Sequence, residues 1–127
     1  MTGEDGTKQI RVTIVEDNAD FRALMEVLLN VQPDIELVSQ AGSLAEVRAH
    51  TASSVPDVAV LDLGLPDGDG ADLIADLRRS NPDVKVLILS ATLDVATFER
   101  ATDADELMDK LASLDEILGT VRRLGNA

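Results

Sequence analysis

Val58-Ala59-Val60-Leu61-Asp62-Leu63 is the stretch on which the fold turns. It follows Pro56 closely and is almost wholly aliphatic, so residues 58–63 read as a strand buried on both faces. Its one polar residue, Asp62, stands near its end.

Working outward, four more apolar segments flank it. Ile10–Val15 is rich in Ile and Val and reads as a first strand. Residues 35–38 make a shorter second one after the Pro33-Asp34 turn. Residues 84–89, following Asn81-Pro82-Asp83, form the most hydrophobic strand, and a weak fifth is expected around Leu107 and Met108. The segments between them have helical period. Phe21, Leu24, Met25, Leu28 and Leu29 share one face of a first helix. Leu44 and Val47 mark a second, with Ser43 as its N-cap; Leu73, Ile74 and Leu77 mark a third that closes on Arg78 and Arg79. Val95 and Phe98 mark a fourth. Leu114, Ile117, Leu118 and Val121 give the fifth an apolar face, Ser113 and Glu116 have capping-box spacing, and Gly125 is expected to stop it. Strand and helix alternating five times predict an α/β fold, a parallel sheet with helices on both faces. In such sheets ligands lie beyond the carboxyl ends of the strands, at the topological switch point.

Composition agrees with this and narrows the function. A chain of 127 residues is one domain, and 45% hydrophobic residues are enough for a core, necessarily aliphatic with two Phe, no Tyr and no Trp. With no cysteine, disulfides, thiolate metal sites and thiol chemistry are excluded, which fits a cytoplasmic location. No apolar run approaches the ~20 residues of a membrane span. The polar start, with Glu4 and Asp5, lacks the features of a signal peptide. Twenty-four acidic against 11 basic residues give a net charge of −13, which opposes binding to nucleic acid or an anionic membrane.

The expected strand ends carry a particular set of groups: Glu16 and Asp17 after the first, Asp62 in the third, Ser90 after the fourth and Lys110 after the fifth. Singly, each has an ordinary reading as a cap, a turn residue or a surface charge. Together they place three carboxylates at one edge, where like charges raise one another's pKa unless a cation intervenes. Oxygen-only ligands favour a hard cation, Mg²⁺ above all. A lysine and a hydroxyl beside the same carboxylates suit phosphoryl transfer, in which positioning and charge neutralisation supply most of the catalysis.

These motifs resemble those of the response-regulator receiver domains of two-component signalling. Val12-Thr13-Ile14-Val15-Glu16-Asp17-Asn18 is similar to the family's first strand and acidic pair. Val60-Leu61-Asp62-Leu63-Gly64-Leu65-Pro66-Asp67-Gly68-Asp69-Gly70 resembles the stretch around its phospho-acceptor. Ile88-Leu89-Ser90-Ala91 and Ala104-Asp105-Glu106-Leu107-Met108-Asp109-Lys110 resemble its hydroxyl and lysine motifs. The resemblance spans residues 10–124, leaving 1–9 as a flexible tail and no output domain in this chain. It implies a flavodoxin-like doubly wound (βα)5 fold with strand order 2-1-3-4-5. It further implies Asp62 as phospho-acceptor, with Ser90 and Lys110 on the phosphoryl oxygens. Asp17, Asp62 and the backbone carbonyl of Gly64 would ligate Mg²⁺, or Mn²⁺ in its place, with Glu16 reaching it through water. The implied partner is a sensor histidine kinase or a histidine phosphotransfer protein, with homodimerisation on phosphorylation, and the chain is a signalling module and not an enzyme in its own right. The Phe21-Arg22 helix start and the Gln32-Pro33-Asp34-Ile35 turn resemble receivers of NarL/LuxR-type transcription regulators.

Three features depart from the family pattern. Leu111 replaces the proline whose preceding bond is cis in the family; a cis bond before a non-proline residue costs about 2.5–4 kcal/mol. Leu107 replaces the switch aromatic, and the stretch between Ser90 and Lys110 is short, predicting a short or mobile fourth helix. They motivate an alternative, a receiver-fold binding module that signals without phosphorylation. A haloacid-dehalogenase-type hydrolase is disfavoured because Gly64 stands where that family needs its second Asp. His50, the only histidine, is expected at the surface.

Overall fold

A computed structural model of the chain describes residues 9–50 and 55–127. The expected tail over 1–9 therefore lies outside the described residues apart from Gln9, as does the side chain of His50. The elements are β1 (Ile10–Val15), α1 (Ala19–Asn30), β2 (Ile35–Ala41), α2 (Leu44–His50), β3 (Val58–Asp62), β4 (Gly64–Leu65), β5 (Gly68–Asp69), α3 (Asp72–Ser80), β6 (Lys85–Ser90), α4 (Val95–Arg100), β7 (Glu106–Asp109) and α5 (Leu114–Gly125). β1, β2, β3, β6 and β7 form one parallel sheet in the order β2-β1-β3-β6-β7, which is the expected 2-1-3-4-5 once the short β4–β5 hairpin is set apart. The order reverses between β1 and β3, so the switch point lies where their carboxyl ends meet.

Strand parity divides the core. Val12, Ile14, Val58, Val60, Leu87 and Leu89 pack with α1 and α5. Val15, Ala59, Leu61, Val86 and Ile88 face the opposite way and pack with α2, α3 and Ala101 after α4. Both faces of the sheet are thus covered, and the central strands β3 and β6 carry no polar residue between their ends, as buried parallel strands require.

The caps explain where the helices begin. Asn18 accepts a hydrogen bond from the Phe21 N–H at 2.9 Å and is the N-cap of α1, so Glu16 and Asp17 are free of that duty. Ser43 accepts from Glu46 N–H at 3.2 Å. Ser113 and Glu116 form the reciprocal capping box predicted for α5.

Four expectations need correction or refinement. Leu24 does not share the buried face of α1; it is 46% exposed, because it lies about 100° round the helix from Met25, outside the arc of Phe21, Met25, Leu28 and Leu29. Val95 and Phe98 point outward at 73% and 58% exposure. The residues of α4 that turn inward are Thr97 and, just past its end, Ala101; Asp94 accepts from both the N–H and the hydroxyl of Thr97, which fixes this rotation. α5 ends at Gly125 as expected, but the glycine is its last helical residue and not the cap after it, a place taken by Asn126. A Cβ on Gly125 would stand 2.5 Å from Ile10 Cγ2, so the glycine serves close packing of α5 on β1. Finally, β2 runs on to Ala41, three residues beyond the expected end, since Thr13 and Ser39 hydroxyls pair at 2.9 Å and offset the polar side chains of its second half.

Candidate functional site

Glu16 follows β1, Asp62 ends β3 and Lys110 follows β7. Glu16 has the parity of Ile14, Asp62 that of Val60 and Lys110 that of Met108, all packed on the α1/α5 side. One β-strand period beyond the core therefore delivers the three side chains to one place. Lys110 Nζ lies 2.7 Å from Glu16 Oε1 and 3.5 Å from Asp62 Oδ2. Asp17 joins them from the β1–α1 loop: oxygens of Glu16, Asp17 and Asp62 all lie within 4.8 Å of one another.

Each carboxylate is held differently. Glu16 is 3% exposed; its second oxygen accepts from the Asn18 N–H at 2.9 Å, and its carbonyl accepts from Arg22 Nη1. Asp62, 14% exposed, accepts from the Gly64 N–H at 3.1 Å. Asp17 is open to solvent. Burial pushes the Glu16 carboxyl above its ordinary range, and the Asp62 charge adds to this against the opposing bonds from Lys110 and Asn18. Burial alone would lower the Lys110 ammonium, but the Glu16 bond and the charges of Glu16 and Asp62 outweigh it and raise it. The pair is thus lopsided: the lysine gains from it, while for the more deeply buried glutamate desolvation exceeds what one lysine returns.

A compact set of oxygen donors carrying more negative charge than one lysine offsets fits a hard divalent cation and excludes a soft one. The acidic group is able to hold a metal ion.

Ser90 is at the same edge, and its hydroxyl is bonded to the backbone of Thr92. It shares the parity of Val86 and Ile88, which face α2, α3 and Ala101, and its hydroxyl donates to the Thr92 carbonyl at 2.8 Å. The Gly64 backbone adjoins Asp62 as its N–H bond shows. Gly70 explains the glycine-rich run after Asp62: a Cβ on it would stand 2.0 Å from the Asp62 carbonyl oxygen, so only glycine lets the β4–β5 hairpin fold back on β3. The hairpin is tied on two sides. Asp67 accepts from the Leu44 and Ala45 N–H groups of α2, and Asp69 accepts from Arg100 Nε at 2.8 Å.

Sequence reasoning missed Arg100, Phe21 and the hairpin. Arg100 approaches the Leu63 carbonyl as well as Asp69, holding its carboxyl below the ordinary range. The only available signal was an arginine about thirty residues after an Asp-Gly repeat, which no local rule reads. The sequence shows Phe21 on the helix face and in the Phe21-Arg22 helix start, but gives no sign that its ring centroid lies 5.1 Å from Lys110 Nζ.

At the departures, Lys110–Leu111 is trans, since no described peptide bond is cis. Leu111 is 88% exposed, with its N–H donated to Asp109 Oδ1. Leu107 is half-buried against the cluster of α2, α3 and Ala101, and α4 is short at 6 residues.

Residues 12–122 match the family described as the response regulator receiver domain. The DNA-binding transcriptional activator DevR/DosR of Mycobacterium tuberculosis is 42% identical over 82 residues, 65% of this chain and 38% of that protein. The response regulator protein VraR of Staphylococcus aureus is 31% identical over 116 residues, 90% of this chain and 56% of that protein. The receiver domain of the response regulator NarL from Mycobacterium tuberculosis superposes with a TM-score of 0.79 at 27% identity, covering 94% of this chain and 98% of that one. The chain spans between 23% and 56% of the length of such curated relatives. Fold, strand order and a match over most of its length lead to one conclusion: the chain belongs to the response regulator receiver domain family of two-component signalling.

Proposed function

We propose that this receiver accepts a phosphoryl group on Asp62 from a phosphohistidine of a sensor histidine kinase or histidine phosphotransfer protein, with Mg²⁺ as cofactor. The observation that carries the reading is the convergence of Asp62 with Glu16, Asp17 and Lys110 at the switch point of the sheet. An Asp62 oxygen attacks phosphorus, the P–N bond breaks, and the imidazole leaves and takes up a proton. Asp17, Asp62 and the Gly64 carbonyl would hold the metal, with Glu16 acting through water; when bound, the metal neutralises charge on the transferring group. Lys110 stabilises a phosphoryl oxygen from the opposite side. Ser90 contributes only by releasing Thr92 and turning toward Asp62, so its engagement belongs to the phosphorylated state. Family membership supports a cytoplasmic setting, dimerisation on phosphorylation and transcription regulation through a separate output domain. The net charge of −13 argues against direct nucleic acid binding by this domain.

Incubation with Mg²⁺ and acetyl phosphate is expected to add one phosphoryl group, read as mass gain, and EDTA or Asp62→Asn to prevent it. Equal labelling of Asp62→Asn would overturn the acceptor assignment. A wild-type chain that never labels would leave signalling by binding alone.

A further inference from the structure

We infer that Phe21 is a positioning residue for phosphoryl transfer, holding the Lys110 ammonium in the site through the face of its ring. This rests on the phosphoryl-accepting reading of Asp62 and adds a residue that the acidic and lysine motifs do not contain.

Lys110 comes from an exposed end of the fold. β7 is an edge strand of 4 residues, paired only with β6, and the chain continues directly into the exposed Leu111. The flexible lysine stem therefore needs support from elsewhere, and the β1–α1 segment gives it twice. Glu16 takes one ammonium hydrogen at 2.7 Å, and the Phe21 ring lies 5.1 Å from Nζ, inside the roughly 6 Å range of cation–π attraction. The ring is itself fixed. Its backbone N–H is bound by the Asn18 cap, and its side chain packs against the core shared by α1 and α5.

The two supports differ chemically. A carboxylate such as Glu16 competes with an incoming phosphoryl oxygen for the same N–H donors. An aromatic face attracts the charge without claiming a donor in a fixed direction. Of the three ammonium hydrogens, Glu16 and Asp62 account for two, and the third is left for the phosphoryl group. Phe21 can thus retain the ammonium while its hydrogen bonds are exchanged. Arg22, the next residue, donates to the Glu16 carbonyl, so the first turn of α1 fixes both supports of the lysine.

The test is the rate of Mg²⁺-dependent labelling of the full chain by acetyl phosphate. Phe21→Leu is expected to lower the maximal rate about two- to fivefold, the rate equivalent of about 0.5–1 kcal/mol of cation–π attraction, with the Mg²⁺ midpoint unchanged. Phe21→Tyr and Phe21→Trp should restore it. Because Leu could also disturb packing, a second series replaces Phe21 with mono-, di- and trifluorinated phenylalanine, which drains the ring face at nearly constant shape. A stepwise fall in rate with fluorination supports the proposal. A flat series, or wild-type rates in Phe21→Leu, overturns it while labelling at Asp62 stands. If wild type labels no better than Asp62→Asn, the phosphoryl-accepting reading has failed and takes the proposal with it.

Discussion

Gly70 and Asp17 show how single residues in this domain trade packing and charge for the site. Gly70 is pressed against the Asp62 carbonyl, and Gly70→Ala would force the β4–β5 hairpin off β3. The expected cost is about 1–3 kcal/mol, read from the urea midpoint, in line with overpacking elsewhere. Asp17 acts in the opposite sense. It adds a third carboxylate to a group that already carries more negative charge than Lys110 offsets, so the metal-free fold bears their repulsion. Asp17→Asn is expected to raise metal-free stability by up to about 1 kcal/mol, a size suited to an exposed charge. Added Mg²⁺ should then raise the wild-type midpoint by mass action and leave the variant unmoved. A variant that Mg²⁺ stabilises as strongly as wild type would remove Asp17 from the ligand set.

At the scale of elements, local chemistry decides which helices stand by themselves. The capping box of α5 satisfies two backbone donors, and Ser113→Ala should cost about 1 kcal/mol in a denaturation series. By contrast α4 has 6 residues, buries little, and is held at its far end by the bond of Arg100 to Asp69. Arg100→Ala should speed amide exchange in residues 95–100 and in the hairpin, with α5 unaffected. The same contrast explains what could be read from sequence. α5 was legible because its period, its cap and its burial all agree. α4 was misread because two large apolar residues, Val95 and Phe98, suggested a buried stripe that the Asp94–Thr97 cap rotates outward. The β4–β5 hairpin was not legible at all; it exists through tertiary ties from Asp67 and Asp69 to helices before and after it in the chain. Glu16, Asp17, Asp62 and Lys110 were legible because strand parity carries each of them other than Asp17 one step past an apolar run. Ser90 obeys the same parity and for that reason faces the other way.

For the whole molecule, carboxylates paired or capped outside the acidic group shape the response to pH. Arg122 on α5 holds Asp34, before β2, through two bonds at 2.8 and 3.1 Å and keeps its carboxyl below the ordinary aspartate range. Asp69 and Asp94 are lowered as well, by Arg100 and by the Thr97 cap respectively. A carboxyl lowered on folding adds stability that is complete above its unfolded pKa, about 3.9, and is lost as pH falls through the folded value. Stability should therefore decline as pH drops below about 4, and Asp34→Asn should flatten part of that limb in urea melts taken at successive pH values. Glu16 has the opposite sign. Raised on folding, it favours the fold while protonated, and that contribution disappears as pH rises from its unfolded value, about 4.3, through the folded one.

The contact of Gly125 with Ile10 has a practical consequence. It brings the last turn of α5 beside the first residue of β1, at the amino edge of the sheet, while Glu16, Asp62 and Lys110 occupy the carboxyl edge. Fluorescent proteins fused before residue 9 and after residue 127 would sit near each other and a full strand length from the acidic group. Such a pair would start from high energy transfer and report, as a change in that transfer, any event at the far edge that disturbs the packing of α5 on β1.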